Sequence, residues 1–262
     1  MKYIRFIDQN NIEQIGILNN NIIELLDGDL LDNPTLTGQT CSIDSIKAYL
    51  PPVTPPNLLA IGKNYAAHAA EFGTPLPKEP LIFIKSATSI TAHNQPIQKP
   101  QQAPDFIDYE AELAIVIGKK AKNINPNQVP DHIFGYTCAN DVTARDCQKN
   151  DGQWARAKSF DTFCPIGPVV ETELDTKKLT VRSILNGNIM QDGNTADMVF
   201  PVNELVSYIS KHMTLLPGTV ILTGTPDGIG FARDPQVLMQ NGDKITIEIE
   251  GIGKLVNYVE NE

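Results

Sequence analysis

The run Asp108-Tyr109-Glu110-Ala111-Glu112-Leu113-Ala114-Ile115-Val116-Ile117-Gly118 decides how this chain folds. Its β-branched and aliphatic residues have the composition of a strand, and Gly118 supplies the turn that ends it. Successive strand side chains point to opposite faces. Glu110 and Glu112 therefore share a face that continues with Ala114 and Val116, while Leu113, Ile115 and Ile117 line the other. Apolar residues on both faces predict a strand buried on both sides, with its two carboxylates pointing inward. An isolated Glu-x-Glu is usually a solvated strand end, and the apolar continuation argues against that here. Two buried like charges are costly unless a cation joins them.

Outward from this strand, further strand-like runs recur at Leu81 to Ile84, Val220 to Leu222 and Ile245 to Ile249, with few long periodic helices between them. The pattern predicts an α+β fold in which β dominates. The first fifty residues carry short alternating runs, Tyr3 to Ile7 and Gln14 to Leu18, the second ending in the turn-forming Asn19, Asn20 and Asn21. One short helix is expected over Ser45 to Leu50. Pro51-Pro52-Val53-Thr54-Pro55-Pro56 then interrupts any helix or ladder. The expected organisation is a small N-terminal α+β domain over residues 1–55 and a larger domain over residues 56–262. No repeat at a fixed period is present, which excludes a solenoid.

The net charge of −10 and pI of about 4.9 disfavour nucleic acid, whose binders need clustered Lys and Arg. No stretch approaches the roughly 20 apolar residues of a membrane-spanning helix, and Met1 to Ile7 is too often polar for a signal peptide. The expectation is a cytoplasmic protein with neither nucleic acid nor membrane as partner. Cys41, Cys138, Cys147 and Cys164 form no CxxC pair and read as reduced thiols. If the substrate is an anion, the site must reverse the overall negative field locally, with a metal ion and one or two placed cations.

A second acidic segment, Asn140-Asp141-Val142-Thr143-Ala144-Arg145-Asp146, follows the strand-like Ile133 to Ala139 and places Asp141 just past a strand end. Three carboxylates from two segments suit a hard divalent ion. Oxygen-only ligation with open positions favours Mg²⁺ or Mn²⁺ over zinc, and no His or Cys stands at zinc-type spacing beside them. Asp146 reads as a structural partner, pairing with a cation or capping the next turn.

These segments carry a resemblance. Ile61-Gly62-Lys63-Asn64-Tyr65-Ala66-Ala67-His68-Ala69-Ala70-Glu71, Asp108 to Glu112, Asn140 to Gln148, Lys158-Ser159-Phe160-Asp161 and Thr223-Gly224-Thr225-Pro226 resemble, in order and spacing, the fumarylacetoacetate hydrolase superfamily. The likeness spans roughly Pro56 to Glu262. It implies a mixed β-roll whose site opens at one end, with Glu110, Glu112 and Asp141 as the metal ligands. It further implies Lys158 as the active-site lysine, and Gln148 and Thr225 as holders of the substrate's acid group and oxygens. A homodimer is also implied.

Asn64 to Phe72 reads as a short helix with Asn64 as N-cap and Gly73 at C′. His68 and Glu71, at i and i+3, are neighbours on its surface. A lone His/Glu pair at this spacing is ordinarily a surface pair. The resemblance instead implies a mobile segment closing over substrate, Glu71 holding the imidazole of His68 so that it can take a proton from water. His93, His132 and His212 have no such companion and read as surface or structural. The glycines of Thr223 to Gly230 lack a P-loop ending and read as permitting a tight turn beside a small acid. A Cys147 nucleophile ranks low without a thiolate-stabilising context.

The leading expectation is that Mg²⁺ chelates a small anionic 2-oxo acid, with Lys158 facing the oxygen on which negative charge develops. Three carboxylates and Mg²⁺ leave one negative charge, which Lys158 cancels. Hydrolysis of an acylpyruvate is favoured because both members of the water-activating pair are present. Isomerisation, tautomerisation and decarboxylation of a 2-oxo diacid such as oxaloacetate are the alternatives, and a non-catalytic metal- or ligand-binding module is the reading of another class.

Overall fold

A computed structural model describes residues 1–103 and 105–262. The run that opened the sequence reading forms the strand Ala111–Ile117, and all seven of its residues are buried. Its two faces feed separate cores. Leu113, Ile115 and Ile117 join the larger apolar cluster with Val181, Ile245 and Ile247. Ala114 and Val116 join a second cluster with Leu58, Ala60, Val220 and Leu222.

Twelve strands form one mixed sheet. Its path runs Thr35–Ser42, Ile22–Asp27, Glu13–Asn19, Lys2–Ile7, Cys164–Glu171, Ile133–Asn140, Ala111–Ile117, Val220–Leu222, Leu58–Gly62, Leu81–Lys85. Two short strands, Ala48–Tyr49 and Ile90–Thr91, pair off this path. A five-stranded sheet, Asn188–Asn194, Thr180–Leu185, Lys244–Ile249, Gly253–Asn261 and Pro96–Lys99, packs across it. The described helices are short, the longest being Val202–His212. The protein is thus α+β and β-dominant, as its sequence pattern predicts.

Residues 1–55 differ from expectation in one element. Ser45 to Leu50 is not a helix: Ile43–Ser45 makes a single 3₁₀ turn and Ala48–Tyr49 is a strand paired with Phe6 and Ile7. Lys47 N donates to Ile7 O (2.9 Å) and Leu50 N to Arg5 O (3.1 Å), and these edge bonds keep the segment extended. The four longer strands of this region run on into the main sheet, because Lys2, Tyr3 and Ile4 pair with Glu171, Val170 and Val169. No described helix is long and apolar enough to cross a membrane.

Two backbone arrangements set up the site. Val220–Leu222 lies between Ala111–Ile117, antiparallel, and Leu58–Gly62, parallel, so the loops after residues 62 and 222 emerge side by side. Ala111 pairs with Asn140, which puts the segments carrying Glu110 and Asp141 at one end of the same strand pair.

Candidate active site

Glu110 N donates to Asn140 Oδ1 (2.9 Å) and Asp141 N donates to Glu110 O (2.9 Å), so the two acidic segments are locked by their own backbones. Ligand oxygens of Glu110, Glu112 and Asp141 all lie within 4.8 Å of one another, and all three residues are buried. Strand periodicity places Glu110 and Glu112 on one face, and the pairing of Ala111 with Asn140 brings Asp141 to them.

The carboxylates are not equally compensated. Lys158 Nζ donates to Glu110 Oε2 (2.8 Å) and to Asp141 Oδ2 (2.7 Å). Lys85 Nζ donates to Asp141 Oδ1 at 2.6 Å. Arg145 Nη2 lies 2.7 Å from Glu110 Oε1 as a charge contact, outside hydrogen-bond geometry, while its Nε donates to Asp108 Oδ2 at 2.9 Å. Among the described residues Glu112 has no cation within 4.0 Å; its Oε2 accepts from Gly224 N at 2.6 Å. Burial raises the Glu110 carboxyl, but Lys158 and Arg145 outweigh that and hold it far below the ordinary range. Burial, then Asp141 and Glu110, push Glu112 well above it. Burial also raises Asp108 despite Arg145. Burial disfavours the Lys158 ammonium, yet Asp141 and Glu110 raise its pKa on balance.

Four buried carboxylates, Asp108, Glu110, Glu112 and Asp141, thus face three buried cations, Lys85, Arg145 and Lys158. Counted as formal charges, one negative charge is left over, and Glu112 is the carboxyl without a cation within 4.0 Å among the described residues. Three converging oxygens with one uncompensated buried carboxylate fit a hard divalent cation. Such an ion would turn the surplus negative charge into a surplus positive one, suited to an anionic substrate. The residues that would hold it are Glu110, Glu112 and Asp141.

Above this cluster stands the helix Ala66–Glu71. His68 Nδ1 and Glu71 Oε2 are 2.9 Å apart, and Glu71 Oε1 accepts from Gly228 N at 2.6 Å. The imidazole is buried at 6% exposure and meets the Phe72 ring edge-on. Gly73, at φ +60°, closes the helix: its N–H donates to Ala70 O, and Thr74 N donates to Ala69 O. Asn64 is not the N-cap. Tyr65 occupies that position without a side-chain bond, while Asn64 is fully buried. Its Nδ2 donates to Thr223 O (2.7 Å) and Phe200 O (3.1 Å), and its Oδ1 accepts from Phe200 N (2.9 Å). Gly224, at φ +100°, admits this contact, since a Cβ there would sit 2.7 Å from Asn64 Cβ.

A cavity of about 380 Å³ contains seven of the eight residues singled out in the sequence, and Glu71 stands directly behind His68. Lys158 ends the short helix Ala155–Lys158, with its ammonium 5.4 Å from the Phe83 ring centroid. Gln148 lies on the helix Arg145–Asp151, its Oε1 accepting from Arg145 Nη1 at 2.9 Å. Thr225 lines the cavity, but its hydroxyl already donates to Ala111 O (2.9 Å) and accepts from Gln191 Nε2 (2.7 Å). Asp146 Oδ1 accepts from Cys147 N, a local bond of the first helical turn. Burial and then Asp146 raise the Cys147 thiol, so it offers no ready thiolate. Lys85, Asp108 and Gln191, unmarked in the sequence reading, prove integral to the site, and Arg145 gains a role that its motif did not convey.

Two family profiles match the chain: one described as Fumarylacetoacetate (FAA) hydrolase C-terminal over residues 57–260, the other as Rv2993c-like, N-terminal over residues 1–51. A relative from Xenopus laevis named oxaloacetate tautomerase fahd2, mitochondrial, is 45% identical over 223 residues, covering 83% of this chain and 70% of the relative. Among solved structures, 5-carboxymethyl-2-hydroxymuconate delta-isomerase from Mycobacterium smegmatis superposes with a TM-score of 0.90 at 38% identity, covering 100% of both chains. The 2-hydroxyhepta-2,4-diene-1,7-dioate isomerase from Mycobacterium marinum gives 0.87 at 38% identity, covering 100% of this chain and 99% of that one.

Proposed function

Because the chain belongs to the fumarylacetoacetate hydrolase family, we propose that it is a metal-dependent enzyme that moves a proton at the carbon next to the carbonyl of a small 2-oxo acid, interconverting keto and enol forms. The observation that supports this reading is one cavity shared by an acidic cluster with a surplus negative charge and a preassembled His68–Glu71 pair. Proton-moving names among the relatives, a tautomerase and two isomerases, favour it over the hydrolysis that the sequence reading placed first.

When bound, the divalent ion, for which we propose Mg²⁺ with Mn²⁺ as a substitute, supplies Lewis-acid polarisation of the substrate's carboxylate and carbonyl oxygens. Glu71 accepts a hydrogen bond from Nδ1–H of His68, which directs Nε2 as the nitrogen that takes a proton from C3. Gly228 N–H fixes Glu71 from behind and so sets the direction of the imidazole. Lys158, the cation shared by Glu110 and Asp141, opposes the negative charge that grows on the carbonyl oxygen as C3 loses its proton. Return of that proton from His68 to the same oxygen, directly or through water, completes the enol. Gln148 turns its oxygen to Arg145, which leaves its amide N–H₂ to meet the substrate's acid group. Thr225, its hydroxyl proton committed to Ala111 O, serves chiefly to hold the strand end.

The test is solvent deuterium exchange at C3 of 2-oxo acids followed by NMR, with Mg²⁺ and with chelator. Metal-dependent exchange that is lost in His68→Ala supports the reading, and no exchange above the buffer rate sinks it. A second reading, C–C hydrolysis of an acylpyruvate, is favoured by the same imidazole being able to take a proton from water instead of carbon. Release of two acids from an acylpyruvate, without prior exchange at C3, would select it.

A further inference from the structure

The cations around the cavity fall into two sets. Arg145 and Lys158, which line its floor, and Lys85, bonded to the floor residue Asp141, are each buried to 2% exposure and each engaged by a carboxylate. Lys63 and Lys149 also line the cavity but are half-buried and exposed respectively. Neither has a carboxylate within 4.0 Å among the described residues. In a chain with a net charge of −10, these two unpaired ammonium groups are, among the described residues, the lining lysines and arginines still available to a ligand.

Their supports are firm. Lys63 sits at φ +57°, a left-handed conformation that a residue with a Cβ rarely adopts. It is held there between Gly62, paired with Leu81, and the buried Asn64 clamp. Lys149 shares a helix face with Arg145 and Gln148, at i, i+3 and i+4. Exposure rises along that face, from buried Arg145 through half-buried Gln148 to exposed Lys149, so the helix runs from cavity floor to rim. Between floor and rim the wall is aromatic, with Phe83 and Trp154 in edge-to-face contact at 5.2 Å between ring centroids. An apolar wall with a cationic rim matches a hydrocarbon spacer ending in a second negative charge.

We propose that Lys63 and Lys149 form a rim subsite for the far carboxylate of the substrate, so that the enzyme selects dianionic 2-oxo diacids over 2-oxo monoacids of the same length. This rests on the floor holding the 2-oxo acid end, as in the reading above. The contribution is modest per lysine, since both are partly solvated, and it weakens with added salt.

The experiment is calorimetric titration of the Mg²⁺-loaded protein with 2-oxoglutarate and 2-oxopentanoate, which share a five-carbon chain and differ only in the terminal carboxylate. Wild type should prefer 2-oxoglutarate. In K63M/K149M the ratio of the two dissociation constants should fall about fivefold or more. K63R/K149R should keep it. An unchanged ratio in K63M/K149M, equal loss in the arginine pair, or no preference in wild type would each overturn the subsite. Because binding is measured without turnover, absence of C3 exchange would strike the proposed reaction while leaving this result to stand or fall by itself.

Discussion

The cluster of Glu110, Glu112 and Asp141 and the pair of His68 and Glu71 meet in one cavity, yet they are held in opposite ways. The carboxylates are fixed by strand register: the Glu110 backbone donates to the Asn140 side chain and accepts from Asp141 N, and three buried cations close around them. The pair rides on a six-residue helix whose outer side is open, and Gly228 N–H is the backbone anchor of Glu71. Moving a carboxylate would strand a buried lysine or arginine, whereas the helix, beyond its root at Asn64 and Tyr65, is latched at its far end by the bond from Gly228 N–H to Glu71. The difference assigns the tasks: a rigid floor defines where charge is held, and a lightly latched helix can admit substrate and bring the base to it.

The largest effect should come from the floor. Glu110→Ala leaves Lys158 and Arg145 short of a partner, and we expect activity to fall about 10³-fold or more. Stability should fall by about 3–5 kcal/mol, read by denaturant unfolding. Full activity in the presence of Mg²⁺ would break the comparison at its base. His68→Ala should lower the rate about 10²-fold with an almost unchanged melting temperature. A large loss of stability there would mean that the helix belongs to the rigid part. Glu71→Gln keeps an oxygen for Gly228 N–H but removes the charge beside the imidazole, and about a tenfold loss in kcat is expected. The smallest effect sharpens the contrast by its sign. Glu112→Gln removes the one floor carboxylate without a cation, so the metal-free protein should gain about 1 kcal/mol while losing stabilisation by added Mg²⁺. A destabilised metal-free variant would show that Glu112 is compensated after all.

Strand periodicity alone put Glu110 and Glu112 on one face and Asp141 beyond a strand end, because those relations span only a few residues. Lys85 gave no such signal. It ends an ordinary apolar strand, Leu81–Lys85, and finds Asp141 across 56 positions. Arg145 stood inside a motif, but its bond to Asp108 spans 37 positions and its meaning is tertiary. Asn64 misled because a capping residue by type was recruited by Thr223 and Phe200, far along the chain. Ser45 to Leu50 misled for a related reason, since pairing with the first strand overrode weak local helix preference. Local period was readable, and long-range pairing was not.

The position of Val220–Leu222 in the middle of the main sheet carries a consequence for biosynthesis. As the polypeptide leaves the ribosome, the strand Leu58–Gly62 has only its hairpin partner Leu81–Lys85 beside it in the main sheet until Val220–Leu222 arrives between it and Ala111–Ile117. Gly224, whose N–H meets Glu112, emerges with that late strand. Completion of the acidic centre therefore waits for Gly224, and nascent chains stalled before residue 220 should recruit chaperones.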